Sequence, residues 1–327
     1  MNYRKLNNTE LSVSPVCMGT VNYGTEMSEY DAKAQMSKFL DDGGNFLDTA
    51  QIYGEWGNSP ECFSEYVIGN WFKETGNRQK VVLATKGAHP KWGHMDKPRV
   101  NAKDINEDLE GSLKLLNTDY IDLYFLHRDD PNTPVTEIME CLDAARKAGK
   151  IRHYGCSNWK LPRIKEAQEY SKSAGLEGFV CNQLMWSLAD INFYNLVDKS
   201  FILMDEDTHA YSAQTGMNVM AYMSVAKGYF TRRAAGENLP AGVADLYNSP
   251  SNDAIFERLV SVAKQGNYTY IDMALMYIIA EKLFPAVPIA SFDNMAQLKE
   301  GVECMKKTVP AEIIEELSKL KKFTYWE

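Results

Sequence analysis

The sequence predicts an α/β fold, a (β/α)8 TIM barrel with an N-terminal hairpin and extra C-terminal helices. Three observations carry that expectation. Short apolar runs of strand length alternate with amphipathic stretches of helix length along all 327 residues. Strict strand-then-helix alternation implies a parallel sheet. Eight such units in a chain of this length fit a closed barrel. The rival, an open doubly wound sheet, usually carries GxGxxG after its first strand. Here Gly19 is followed by TVNYGTEMS, which lacks it.

In chain order, residues 1–14 read as a small hairpin. Strands are expected at Pro15–Gly19, Asn45–Asp48, Val81–Lys86, Ile121–His127, Ile151–Ser157, Phe179–Gln183, Asn218–Tyr222 and Ala286–Ile289. Helices are expected at Ser28–Asp42, Pro60–Thr75, Ala102–Leu116, Pro134–Ala148, Leu161–Ala174, Asp205–Gln214, Tyr270–Glu281 and Asn294–Val302. Gly43, Gly76, Gly149, Gly175 and Gly216 stand where helices commonly end in a left-handed residue. Pro90–Val100, Ile191–Met204 and Gly228–Pro250 read as long connections. Further helices are expected at Asp253–Gln265 and Ala311–Lys321. No Gly-, Ser- or Pro-rich linker interrupts the chain, so residues 1–327 read as one barrel domain.

Composition narrows the function. At 45% hydrophobic and 24% charged, the chain is ordinary globular protein, which excludes wholesale disorder. A net charge of -9 argues against a nucleic-acid binder, which needs a basic stripe. No run approaches the roughly 20 apolar residues that span a membrane. The six cysteines show no CxxC spacing and read as buried free thiols. With no signal peptide evident in MNYRKLNNTELSVSP, a cytoplasmic location is expected.

Barrel function collects at the C-terminal ends of the strands. Those ends carry Asp48, Lys86, His127, Ser157 with Asn158, Gln183 and Tyr222, and Tyr53 follows Asp48 in a short loop. The set suits proton transfer. A Lys86 ammonium beside the Tyr53 phenol would lower its pKa. Asp48 would keep Lys86 charged, and His127 would donate to a carbonyl oxygen. None of these groups supplies hydride, so a nicotinamide or flavin is implied.

The segments GGNFLDTAQIYG, VVLATK, DYIDLYFLH, GKIRHYGCSNW and AYMSVAKGYF stand in the order and spacing of the aldo-keto reductases. The chain resembles that family from hairpin to terminal helix. The resemblance implies a barrel that binds NADP(H), without a Rossmann domain, and reduces an aldehyde or ketone or oxidises the alcohol. It places the catalytic tetrad on Asp48, Tyr53, Lys86 and His127. Ser157, Asn158 and Gln183 would hold the nicotinamide carboxamide, and Tyr222 would stack on its ring. Met223–Phe230, with Ser224, Ala226 and Gly228, would wrap the pyrophosphate. Gly19 and Thr20 would lie beneath the cofactor, with Ser291, Asp293 and Gln297 at the adenosine end.

The chain also departs from the family. Where relatives commonly carry a cation for the 2'-phosphate, this one has Asp293. A carboxylate repels a phosphate and can accept from a ribose diol, so a switch to NAD(H) is one reading. The other is that Asp293 caps the following helix. A later Glu-Asn pair of the family is Glu300–Gly301 here, and Met223–Ser224 replaces Ser-Pro. Lys227, Arg232 and Arg233 remain as phosphate candidates.

For the substrate, Tyr23, Trp56, His89, Trp92, Arg128 and Trp186 are the candidates. Aromatic walls suit the apolar body of a small molecule. The run His127-Arg128-Asp129-Asp130-Pro131 resembles a bacterial-type subgroup of the family. Arg128 would favour a polar or sugar-like carbonyl compound, or would pair with Asp129 or Asp130. His89 and His94 lack metal-site spacing, so no metal is expected. A regulatory subunit that binds cofactor and turns over slowly is the alternative function. A carboxylate-pair hydrolase ranks last, because no second acidic strand end partners Asp48. The oligomeric state is not readable from the sequence.

Overall fold

A computed structural model describes residues 2–57, 59–265 and 268–321, without the side chain of Cys62. The hairpin is β1 (Arg4–Lys5) with β2 (Ser12–Val13), antiparallel, Arg4 opposite Val13. The barrel follows. It begins β3 (Cys17–Gly19), α1 (Glu29–Asp41), β4 (Phe46–Asp48), α2 (Ser64–Thr75), β5 (Val82–Gly87), α3 (Ala102–Leu115), β6 (Ile121–Leu126) and α4 (Val135–Lys147). It continues β7 (Ile151–Ser157), α5 (Leu161–Ala174), β8 (Cys181–Met185), α6 (Glu206–Thr215) and β9 (Asn218–Tyr222). Then come α7 (Tyr229–Ala234), α8 (Ala241–Tyr247), α9 (Pro250–Lys264), α10 (Tyr270–Ile279), β10 (Ala286–Ala290), α11 (Met295–Cys304) and α12 (Ala311–Leu320). Strands β3 to β10 are parallel and close on themselves, β10 pairing with both β3 and β9.

Alternation along the strands sorts the side chains, because successive residues point to opposite faces of a sheet. Phe46, Ala84, Leu123, Phe125, Cys181, Met220 and Val287 form the interior layer. Leu47, Leu83, Tyr124 and Leu126 face the helices instead. Leu6, Leu11 and Val13 of the hairpin join the interior layer, so the hairpin plugs the N-terminal end. Gly155 is a packing glycine. A Cβ there would stand 2.5 Å from the Phe125 ring, which fills the barrel at that level.

Most helix ends lie within two residues of the sequence expectations, but α2 begins at Ser64 rather than Pro60 and α9 at Pro250 rather than Asp253. Ser28, Asn101, Asp205 and Thr269 accept from backbone N–H groups of the first turns that follow them. Gly76, Gly175 and Gly216 close α2, α5 and α6 in left-handed conformation. Gly43 and Gly149 come one residue past their caps, Asp42 and Ala148. One expectation is corrected: 228–250 is not an open connection but carries α7 and α8. Their Tyr229, Phe230, Leu246 and Tyr247 pack with α9 and α10 in a second core. The described cysteines are free, and burial pushes the thiols of Cys17, Cys156 and Cys181 far up, which leaves them inert.

At the plugged end, His153 of β7 sits between two carboxylates. Its Nε2 lies 2.8 Å from Glu10 of the hairpin turn and its Nδ1 2.8 Å from Glu177. Burial alone would lower its pKa, but the bonds to Glu177 and Glu10 outweigh it, and the net direction is up. Arg152 and Arg146 approach the same carboxylates at 3.9 Å. A raised histidine stabilises the fold fully below its unfolded pKa, about 6.5, and loses that contribution as pH rises through the folded value. The thermal midpoint of the wild type should therefore exceed that of His153→Gln most at pH 6, and the gap should shrink toward pH 9. A gap independent of pH would show that the imidazolium is not what holds Glu10.

Candidate active site

Inward-pointing positions at the C-terminal strand ends bring the predicted residues together. Asp48, Lys86, Ser157, Gln183 and Tyr222 lie at or near the ends of β4, β5, β7, β8 and β9, and His127 directly follows β6. Lys86 is at the centre. Its Nζ donates to Asp48 Oδ2 at 2.7 Å, to the Thr49 carbonyl at 2.7 Å and to the Tyr53 hydroxyl at 3.1 Å. These use all its protons. Gln183 Nε2 donates to the other oxygen of Asp48 at 2.8 Å, which fixes the carboxylate.

The electrostatics follow from burial set against these contacts. Burial would lower the Lys86 pKa, but Asp48 and Tyr53 raise it, so the ammonium stays charged. Burial pushes Asp48 up, while Lys86 and Gln183 pull it back. For this tight pair the charged state of both partners follows, since each has its hydrogen bonds satisfied. At Tyr53 the lowering expected from Lys86 is present but outweighed. Burial raises its pKa more than Lys86 lowers it, so Lys86 offsets the burial rather than making an unusually acidic phenol.

His127 stands edge-on to Tyr53, with ring centroids 5.8 Å apart. Burial, then His89, Arg128 and Lys86, push its pKa far down, so the imidazole is neutral. Its Nδ1 is buried without a partner among the described residues. With its proton on Nε2, the neutral ring would be a donor at that atom.

The residues expected to hold a nicotinamide divide. Asn158, at φ 61°, has its amide fully engaged. Its Oδ1 accepts from Tyr222 at 2.5 Å and from the Ile202 N–H at 3.1 Å. Its Nδ2 donates to the His127 carbonyl and to Ser157 Oγ. Among the described residues the Ser157 hydroxyl proton and the Gln183 side-chain oxygen Oε1 remain uncommitted in the bonds these residues make. One donor and one acceptor suit a carboxamide, so these two fit the group better than Asn158 does. The Tyr222 ring packs against Phe201, with centroids 5.9 Å apart.

Other expected cofactor residues support the scaffold. Thr20 Oγ1 donates to the Asp48 carbonyl at 3.0 Å and accepts from Ser64, so its hydroxyl is spent on strand β4. Gly19 allows close approach to β10, since a Cβ would meet Ser291 Oγ at 2.8 Å. Ser224 Oγ donates to the Ile289 carbonyl at 2.6 Å. Met223, Ala226, Lys227 and Gly228 all have positive φ, a tight loop able to turn backbone N–H groups toward an anion. Arg232 and Arg233 are already paired, with Glu237 and Asp253. Lys227 is exposed and takes no acidic partner among the described residues, so it is the cation left for a phosphate.

At the adenosine end the helix cap is Asn294, not Asp293. Asn294 Oδ1 accepts from Ala296 and Gln297. Asp293 is exposed, and among the described residues its carboxylate has only 3.5 Å contacts, to the Asn22 and Gln297 amides. The capping explanation of Asp293 therefore falls.

The expected substrate residues also divide. Trp56 and Trp92 pair on the surface, rings 5.3 Å apart. His89 is buried beside His127. Tyr23 and Trp186 are corrections. Tyr23 is buried in the main core, its hydroxyl 3.4 Å from Gln35 of α1. Trp186 packs against His209, Tyr277 and Phe284 in the core behind the barrel wall. Arg128 meets neither Asp129 nor Asp130. It pairs with Asp198 at 3.0 Å, donates to Ser200 and the His127 carbonyl, and lies over the Phe201 ring. Asp129 is taken by Arg163. Arg128 thus pins the 198–202 segment over the site, a role with no local sequence signal because its partner is 70 residues away.

Among the described residues no group of three or more His, Cys, Asp or Glu suits a metal, and no helix is long and apolar enough to cross a membrane.

Comparison with known proteins gives the family and the fold. The model of the aldo/keto reductase family matches residues 15–322. The chain is 30% identical to the uncharacterized oxidoreductase YrpG of Bacillus subtilis, over 97% of this chain and 95% of that one. It is 28% identical to norsolorinic acid reductase B of Dothistroma septosporum, over 97% and 81%. The solved holo form of aldo-keto reductase AKR11C1 from Bacillus halodurans superposes with a TM-score of 0.79 at 28% identity, covering 100% of this chain and 98% of that one.

Proposed function

The chain belongs to the aldo/keto reductase family of NAD(P)H-dependent oxidoreductases, and on that premise we propose that Tyr53 protonates the oxygen of a small aldehyde or ketone as hydride reaches its carbon. The observation that carries this reading is the Lys86 ammonium bonded at once to Asp48 and to the Tyr53 hydroxyl. When bound, the nicotinamide supplies the hydride. Tyr53 gives up its phenolic proton, and Lys86 stabilises the phenolate left behind. Asp48 keeps Lys86 in place. His127, neutral and donating through Nε2, orients the carbonyl oxygen and stabilises charge building on it. The Ser157 hydroxyl and the Gln183 side-chain oxygen Oε1 would hold the carboxamide, and Lys227 with the 223–228 loop would hold the pyrophosphate.

The exposed Asp293, free of any capping duty, supports a preference for NADH over NADPH, since it would face a 2'-phosphate with a negative charge. Titration with each dinucleotide, followed by quenching of tryptophan fluorescence, tests the cofactor preference, and turnover of an aldehyde with the bound dinucleotide tests the reductase reading. NADH should bind more tightly than NADPH, and Asp293→Arg should shift the ratio toward NADPH by about tenfold or more, the scale of one charge-assisted hydrogen bond. Tighter NADPH binding by the wild type would remove the preference and leave the reductase reading intact. Saturable binding without turnover of any aldehyde would favour a regulatory role instead.

A further inference from the structure

We propose that His89 is a specificity-determining residue whose Nε2 accepts a hydrogen bond from a hydroxyl next to the reacting carbonyl, which makes the substrate an α-hydroxy aldehyde or α-hydroxy ketone. The inference rests on the reductase reading above and adds the substrate class to it.

The argument starts from a fixed tautomer. His89 Nδ1 lies 2.7 Å from the Pro90 carbonyl oxygen. A carbonyl only accepts, so Nδ1 carries the proton. The ring is neutral at working pH, because burial and the Arg128 guanidinium push its pKa down to about 4. A neutral imidazole protonated on Nδ1 has only a lone pair on Nε2. That nitrogen has no partner among the described residues and is not sealed from solvent. It is a standing acceptor that only a donor can satisfy.

Position and rigidity complete the case. The His89 and His127 ring centroids are 4.7 Å apart. His127 offers a donor to a carbonyl oxygen, so the acceptor beside it addresses the neighbouring substituent. A hydroxyl on the adjacent carbon is a small donor of the kind that would satisfy it. The backbone under His89 is held firmly. Asp108 of α3 accepts from the Ala88 N–H at 2.8 Å and from both ends of the Arg99 guanidinium, and Arg99 donates to the His89 carbonyl at 3.2 Å. A preorganised acceptor loses little entropy on binding and rejects a ligand that leaves it unpaired.

The test compares glycolaldehyde with acetaldehyde, which differ only in that hydroxyl, and takes the ratio of their kcat/KM values within each protein. A general loss of activity cancels in such a ratio. The wild type should favour glycolaldehyde by about tenfold or more, the scale of one net hydrogen bond. His89→Leu should bring the ratio close to one. His89→Gln, which keeps an acceptor near Nε2, should retain part of the preference. A wild-type ratio near one, or an undiminished ratio in His89→Leu, overturns the role of His89 and leaves the reductase reading standing. Failure of the wild type to turn over either aldehyde overturns the reductase reading, and this inference falls with it.

Discussion

Tyr53→Phe is expected to lower kcat for aldehyde reduction by about three orders of magnitude, within the range for loss of a positioned general acid. The reason is local. The phenol is the protein O–H that Lys86 holds at 3.1 Å, beside a neutral His127 whose proton orients the carbonyl rather than leaving for it. Dinucleotide binding should be unaffected, because the Tyr53 hydroxyl touches none of the groups proposed to hold the carboxamide. The pH profile separates this role from a packing role. Since burial raises the Tyr53 pKa above its ordinary value of about 10, the proton-donating form persists through neutral pH. Reduction by the wild type should hold its rate across neutral pH and fall only as pH rises through that raised pKa. Alcohol oxidation needs the phenolate and should rise over the same interval. Stopped-flow rates carried from pH 6 to well above pH 10 would show both trends. A Phe variant within a few-fold of wild type would remove Tyr53 from the chemistry.

What the sequence made legible was what strand periodicity carries. Every barrel strand lies within one or two residues of its expected place, because each is a short apolar run closed by a polar residue. Asp48, Lys86 and His127 stand out for the same reason: each is the ionisable residue at the inward-pointing C-terminal end of an apolar strand. Trp186 was misread although alternation contains the answer. Gln183 points inward, so Leu184 and Trp186 share the outward face, and both lie in the outer core. Arg128 was beyond local reading, since Asp198 and Ser200 come from a distant loop. The short helices α7 and α8 are not legible because six or seven residues fall short of two turns, too few to display a helical period. The Asn294 cap also needed coordinates, because Asp293 and Asn294 are both good capping residues and only backbone geometry chooses between them.

Lys86→Met should damage stability and chemistry together, and the two losses can be separated. Lys86 and Asp48 are almost completely buried and 2.7 Å apart. Removing the cation leaves a buried carboxylate oxygen without its partner, a change that costs about 3–5 kcal/mol in comparable pairs. The same substitution strips the Thr49 carbonyl of a donor and removes the charge that stabilises a Tyr53 phenolate. The thermal midpoint should therefore drop clearly and kcat should fall by two or more orders of magnitude. The double variant Asp48→Asn with Lys86→Met removes the orphaned charge. The carboxamide introduced in place of the carboxylate keeps an oxygen for the Gln183 amide, so most of the lost stability should return. Activity should not return, because the phenolate still lacks its cation. Calorimetric midpoints and kcat measured on wild type, single and double variants would show this split. If the double variant regained turnover along with its midpoint, Lys86 would be a structural cation only, and the assignment of Tyr53 as a lysine-supported acid would fail.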